Sequence, residues 1–518
     1  MNYFDYSLEK LNEYEQVRDC LSRKKSCQVT GCGDSQLAHF INGLSNGYKQ
    51  KVIVTFSAIK AKELYDDMKG FTDDVVMYPA KDLIFFSADV HGSYILQQRL
   101  EFIQKVVENK PFTVIVTVDA FLDKIQPLEK IKDNYIEIGE GSIVEMDALK
   151  TKLAVMGYQA VTQIDSPGQF AIRGSILDIY TLTDETPYRI DFWDDEVDII
   201  KSFDVESQRS IENIESVKIY PASEYFLDKK TIEDGIAKIK KELEKSEKKF
   251  REEFNTEEAN NLKNTVGEFL TNMDINPYSV AIDSYVNYFC ENLVSLMDYF
   301  DEPIFFIDEP ARVEEQLRVV ETEFKESMSH RLLKGYVLSG QTDILWDKNY
   351  ILNRINDQQK VLFTTIAQKV KGFNVEEFVD VDARNISPYN SQFEMLVEDL
   401  KKYKKQKYSV LLVTSSATRG KRLAQDLRDF QISAFFESDS EREVQPGQVM
   451  IVKGSLRKGF TYPMIKFVAI SDTDIFGEKK KRKRKKHGYS GTTISSFADL
   501  NIGDYVVHEN HGLGIYKG

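Results

Sequence analysis

Two short runs decide the architecture at the head of this chain. Residues 51–56 (KVIVTF) and 113–118 (TVIVTV) are unbroken stretches of apolar and β-branched side chains. They are too short for buried helices and lack the polar alternation of a half-exposed strand. A strand apolar on both faces must be covered on both sides. Helical spacing supplies the cover: residues 57–68, with Ser57 as N-cap, follow the first run, and residues 94–107 precede the second. Residues 75–78 (VVMY) add a strand stopped at Pro79. Strands alternating with helices predict an α/β fold built on a parallel sheet.

The texture changes near Gly141. Residues 170–180 (FAIRGSILDIY) and 188–193 (YRIDFW) are closely spaced strands joined by the turn-rich TLTDETP. They predict an antiparallel α+β insert. Beyond it, Ile232, Ile236, Ile239, Leu243, Phe250 and Phe254 form one apolar stripe, read as a single long helix packed on the body. PIFFI (303–307) is a buried strand that runs into Asp308 and Glu309. A second, smaller α/β block spans 375–476, and the final sixteen residues, GDYVVHENHGLGIYKG, open a further β-rich unit.

Charge narrows the partners. The chain of 518 residues holds 68 basic and 83 acidic residues, a net −15. Eight of the positive charges sit in one run from Lys479 to Lys486 (KKKRKRKK), so the remainder is more acidic still. An acidic body is a poor general phosphate binder. The run is read as a solvated linker, with nucleic-acid contact as the alternative. No stretch of about 18 apolar residues predicts a membrane span. The first residues lack a signal-peptide pattern, and four cysteines without a C-x-x-C pair suit a reducing compartment. A cytoplasmic protein without membrane contact, disulfides or a metal site is expected.

QVTGCGDS (28–35) lies between a short apolar stretch and a helical pattern, the setting of a phosphate loop. Gly33 and Ser35 match the G-x-x-x-x-G-K-[ST] pattern, and Gly31 adds a second glycine. Gln28 replaces the first glycine and Asp34 the lysine. A lysine there attracts phosphate; a carboxylate repels it, by about 4 kcal/mol at 4 Å and an effective dielectric of 20. Asp308 and Glu309, after their apolar strand, read as the relic of a Mg²⁺-binding acidic pair. The second block carries no arginine-bearing Q-x-x-G-R segment. These residues predict a chain with no catalytic residues and no bound ATP or Mg²⁺.

In the insert, strand alternation puts Tyr188, Ile190 and Phe192 on one face and Arg189, Asp191 and Trp193 on the other. Phe170, Ile172 and Ile176 are expected to share a core face, with Arg173 opposite. Arg173, Arg189 and Trp193 then have two readings. They are docking hot spots, or the arginines pair with Asp178 or Asp191 while Trp193 caps a domain junction.

FAIRGSILDIY, the segment PYRIDFWDDEVDIIKSFDVESQRS and VKIYPASEYF closely resemble the UvrB-like module of the bacterial transcription-repair coupling factors (Mfd family). The tail resembles the opening of their CarD-like, RNA-polymerase-interacting domain. The resemblance implies a degenerate P-loop, helicase-like core in residues 1–140 (UvrB-like domain 1a) and 223–350 (domain 1b). It implies a UvrA-interacting insert at 141–222, an α/β domain at 375–476, a basic linker at 477–498 and the start of the CarD-like domain at 499–518. Carried over by position, Arg173, Arg189 and Trp193 would contact UvrA; Trp193 stands where Phe is usual. The segment between Pro79 and Arg99 lacks the tyrosine-rich hairpin with which UvrB grips DNA. The implied function is non-catalytic: a UvrB mimic that recruits UvrA to stalled RNA polymerase in nucleotide-excision repair. The alternative is a piece of an ATP-dependent DNA translocase that displaces stalled polymerase, its motor lying beyond Gly518 with its ATP, Mg²⁺ and main DNA contacts. The UvrA-binding face would then be uncovered here, and the polymerase-binding unit cut short.

Overall fold

A computed structural model of the protein describes residues 3–81, 93–132, 134–439, 441–477, 505–508 and 512–515. Its first sheet has seven strands in the order Glu377–Asp380, Cys27–Thr30, Lys360–Thr364, Ile304–Asp308, Gln50–Thr55, Phe112–Thr117 and Val75–Tyr78. Every neighbouring pair is parallel, so the expected α/β class holds. The two diagnostic runs bury both faces. Val52, Val54, Val114 and Val116 enter one core with the helices Ser93–Glu108 and Pro310–Leu333. Ile53 and Ile115 enter another with the helices Asp34–Leu44 and Ala58–Met68. Alternate residues of one strand thus serve two layers.

Three elements depart from the sequence reading. Lys360–Thr364, to which the sequence patterns above assign no element, is a fully buried strand inside this sheet. Glu377–Asp380, placed by sequence at the head of the second block, is instead the edge strand beside Cys27–Thr30. The long helix is two antiparallel ones, Lys229–Glu252 and Thr256–Ile275. Phe254, assigned to the apolar stripe, lies in the turn between them with φ +62° and is 92% exposed.

The insert carries a six-stranded sheet in the order Ser210–Ile214, Glu196–Phe203, Tyr188–Trp193, Ile176–Tyr180, Gln169–Arg173 and Gln159–Ala160. It is antiparallel except for the last pair. A buried ionic cluster fixes its exit to the first sheet. Arg99, with no exposed side-chain surface, donates from Nε to Glu224 at 2.7 Å and from Nη1 to Asp123 at 3.0 Å. Lys81 joins Glu224 to Asp283, 2.5 Å from each. Buried charges are tolerated when paired this densely.

The third sheet runs Arg384–Asn385, Phe460–Tyr462, Phe467–Ser471, Ser409–Thr414, Val449–Lys453 and Ala434–Glu437. One face packs on the helices Phe393–Lys405 and Ala417–Asp429. The other contributes Leu411, Val413, Met450, Val452, Phe460 and Tyr462 to the core that holds the helices Asp34–Leu44 and Ala58–Met68. The first and third units therefore share one apolar interior. Tyr505–His508 and Gly512–Ile515 pair antiparallel, whereas the run from Lys479 to Lys486 lies outside the described residues. Among the described residues no helix is long and apolar enough to cross a membrane.

Candidate functional site

Register decides which insert residues share a face. Asp178 stands opposite Ala171 and Arg189, Arg173 opposite Ile176, and Trp193 opposite Glu196. Cross-strand partners project to the same side. Phe170, Ile172, Leu177, Ile179, Ile190 and Phe192 therefore line the core face. Ala171, Arg173, Ile176, Asp178, Arg189, Asp191 and Trp193 line the outer one. Ile176 thus lies with Arg173, not with Phe170 and Ile172. The turn at Gly174 (φ +63°) and Ser175 holds only two residues, which makes Arg173 and Ile176 a facing pair and resets the alternation.

The outer face is built around a buried carboxylate. Asp178 has no exposed side-chain surface. It accepts hydrogen bonds from Arg189 Nε at 2.7 Å and Nη2 at 3.0 Å, and another from Arg173 Nη2. Arg189 also lies over the Phe203 ring, 4.4 Å from its centroid, and reaches Gln208 at 3.3 Å. Its hydrogen bonds to Asp178 raise its pKa above the ordinary value. The side chains differ in access: 19% of Arg189 is exposed against 45% of Arg173. Arg189 is a brace, and Arg173 is both braced and presented.

Among the described residues Trp193 caps no domain junction. It is 81% exposed, because its strand ends there in a turn through Asp194 at φ +58°. Glu196 opposite it is bridged in turn to Ile143, which is 83% exposed. Trp193, Glu196 and Ile143 make a lateral row with an apolar residue at each end. Sequence reading missed Ile143, since only tertiary pairing brings it beside the strand.

The glycine loop has a different environment. Gly31 follows the strand Cys27–Thr30, and its N–H donates to Thr364 O at 3.0 Å. It has φ +92°, and an added Cβ would lie 2.2 Å from Val381 O. Gly33 precedes the helix Asp34–Leu44 in extended conformation, with open space about it. Asp34 accepts from Lys458 Nζ at 3.2 Å on each oxygen, from Arg457 Nη2 at 3.0 Å and from Asn385 Nδ2 at 3.1 Å. Burial alone would raise its pKa; Lys458 and Arg457 outweigh that and hold it below the ordinary value. Ser35 Oγ donates to Asp67 at 2.7 Å and accepts from the Lys458 N–H at 3.0 Å.

Asp308 and Glu309 are also satisfied from within. Asp308 is buried and accepts from Thr55 at 3.1 Å. Burial pushes its pKa up to about 6 against the opposing charge of Lys60 and the Thr55 hydrogen bond. Glu309, with φ +49°, accepts from the Thr365 N–H at 2.8 Å and from the Thr365 hydroxyl. The residues that engage the loop, Arg457 and Lys458, carried no sequence signal beyond two cations between Gly454 and Gly459. Of the segment between Pro79 and Arg99, residues 82–92 lie outside the described residues.

Residues 136–225 match the family model described as the UvrB interaction domain, and residues 500–518 match the CarD-like/TRCF RID domain. The chain is 30% identical over 502 residues to the transcription-repair-coupling factor of Bacillus subtilis, covering 95% of this chain and 42% of that protein. It is 27% identical over 513 residues to that of Staphylococcus epidermidis, covering 98% and 43%, and 26% identical over 496 residues to that of Staphylococcus aureus, covering 95% and 42%. The resemblance to this family, first seen in the insert and the tail, is borne out over nearly the whole chain. The chain spans about two fifths of the length of these relatives. A solved structure titled XPD_Helicase aligns with 88% of this chain and 81% of its own at 11% identity, with a TM-score of 0.23, too low to bear on the fold.

Proposed function

We propose that this chain is the partner-recruiting part of a transcription-repair coupling factor, a non-catalytic UvrB mimic that brings UvrA to stalled RNA polymerase. UvrA docks on the outer face of the insert. Trp193 supplies apolar area and Arg173 a guanidinium, while Arg189 and the buried Asp178 hold that guanidinium in place. RNA polymerase is engaged through the unit that opens at residue 500. The observation that carries the docking assignment is the exposed Trp193 beside an arginine pair locked on a buried carboxylate. Arg and Trp are the side chains most enriched at binding hot spots, and a preorganised arginine loses less entropy on docking.

The first sheet reads as a degenerate P-loop, helicase-like core that binds no nucleotide, with Asp34 against phosphate and Asp308 and Glu309 engaged internally. The protein works in the cytoplasm, and any DNA contact within this chain belongs to the run from Lys479 to Lys486. The test is titration of UvrA against the parent protein and against Arg173→Ala and Trp193→Ala. Unchanged affinity in both sinks the assignment. A second reading rests on the share of the relatives that is covered, 42% of the Bacillus subtilis protein. An ATP- and Mg²⁺-dependent DNA translocase motor would belong to the remaining length. ATP turnover by residues 1–518 alone would overturn both readings.

A further inference from the structure

The loop at 28–35 is engaged at its helical end, through Asp34 and Ser35. The turn 454–459 lies across it and across the helix Ala58–Met68. Arg457 reaches three carboxylates: Asp34 at 3.0 Å, Asp67 at 3.3 Å and Glu63 at 3.5 Å. Its backbone N–H also donates to Asp67, which has no exposed side-chain surface. Lys458 holds Asp34 through its ammonium group and Ser35 through its backbone N–H. The main chains come close as well: a Cβ on Gly70, just past that helix, would lie 2.0 Å from Ser455 O. Leu456, between the contacts, is buried in the shared core, where His39 meets Tyr462 at 3.0 Å.

From this we infer that the glycine loop is the receiving half of an ionic latch, that its partner is the Arg457–Lys458 turn of this same chain, and that the carboxylate of Asp34 selects that partner. The sign of the charge at position 34 is what makes the joint. With Asp34, three carboxylates face two cations. With the lysine of a phosphate loop, three cations would crowd against Asp67 and Glu63 alone. A guanidinium and an ammonium group of the chain itself take up the Asp34 carboxylate at the helical end of the loop. The carboxylate at position 34 therefore does more than repel phosphate: it fastens the unit of the third sheet to that of the first, beside their shared apolar contact. This inference does not depend on the docking surface of the insert.

Hydrogen exchange on the full chain tests it, reading the amides of residues 454–459 with the central strand Ser409–Thr414 as internal control. Asp34→Lys and Lys458→Glu should each speed exchange at 454–459 by about tenfold or more and leave the control strand protected, a loss of roughly 1.4 kcal/mol of local stability. The double variant Asp34→Lys with Lys458→Glu restores one opposite-charge pair and leaves Arg457 on Asp67 and Glu63. Its protection should return to within about threefold of the parent, a residual of less than about 0.7 kcal/mol. Asp34→Asn, which removes charge without adding any, should fall between. Exchange unchanged in Asp34→Lys would overturn the inference. So would failure of the double variant to recover, including loss of protection at the control strand that the second change does not reverse.

Discussion

Trp193→Ala separates docking from folding more cleanly than any other change in the insert. A tryptophan buries about 200 Å² when fully covered. With 81% of Trp193 exposed in the free protein, roughly 160 Å² is left for a partner to cover, worth about 4 kcal/mol at 25 cal/mol per Å². Ordering the side chain takes back about 1 kcal/mol. The variant should therefore bind UvrA weaker by about 2 to 3 kcal/mol, or roughly 30- to 150-fold in Kd. Its thermal midpoint should not move, because an exposed side chain supports little else.

The assay is built into the chain, which has only two tryptophans. The other, Trp346, stacks on Tyr350 at 4.8 Å and donates from Nε1 to Val294 O at 3.3 Å. Trp346→Phe leaves Trp193 as sole reporter. Its emission should start solvent-like and shift to the blue as UvrA saturates the face. A Trp193→Ala protein that binds within about threefold of the parent, a difference below about 0.7 kcal/mol, refutes the reasoning. So does a Trp193 emission that stays solvent-like in the saturated complex.

The two arginines should fail differently. Arg173→Ala should weaken UvrA binding by about 2 kcal/mol with little effect on folding. Arg189→Ala leaves the buried Asp178 with one half-exposed partner and should also loosen the insert by about 3 kcal/mol, read as faster exchange in strands Ile176–Tyr180 and Tyr188–Trp193. The loop glycines should also separate. Gly31→Ala, at φ +92° against Val381 O, should destabilise by more than about 2 kcal/mol. Gly33→Ala, with extended backbone and open space, should stay within about 1 kcal/mol of the parent by denaturant midpoint. Asp308→Asn should be pH-dependent. The folded pKa of about 6 lies above the ordinary carboxylate value, so the fold favours the protonated form. That contribution is complete below about pH 4 and lost as pH rises through 6. Above pH 6 the ionised Asp308 burdens the fold by roughly 3 kcal/mol, and the asparagine does not. Thermal midpoints should favour the variant at pH 8 and converge toward pH 4; a constant or reversed gap refutes the assignment.

What could be read from the sequence depended on how local each determinant is. The runs at 51–56 and 113–118 announce a parallel sheet because complete burial is written into their composition. Lys360–Thr364 and Glu377–Asp380 belong to the same sheet, but Glu377–Asp380 enters it by pairing with Cys27–Thr30, more than 300 residues away, and Lys360–Thr364 by pairing between that strand and Ile304–Asp308. Phe254 continues a helical period that the chain breaks, since the spacing of apolar residues runs on unaltered through a three-residue turn. Ile176 falls on the face opposite to the one strict alternation predicts, because the two-residue turn at Gly174 and Ser175 resets the count.

The two carboxylates that organise the chain's polar sites show the same rule at its limits. Asp178 and Asp34 are alike in chemistry, each gripping two cations. The partners of Asp178 lie 5 and 11 residues away on adjoining strands, so strand alternation alone could place it beside Arg173 and Arg189. The partners of Asp34 lie 423 and 424 residues away, and no period reaches them. A carboxylate at such a position, read locally, says only that phosphate is disfavoured there. Which group gains the site is a property of tertiary register, and here the same chain supplies it. On the proposed reading of 28–35 as a degenerate phosphate loop, the carboxylate that would repel a phosphate is the one that retains Arg457 and Lys458, so position 34 serves exclusion and joint at once.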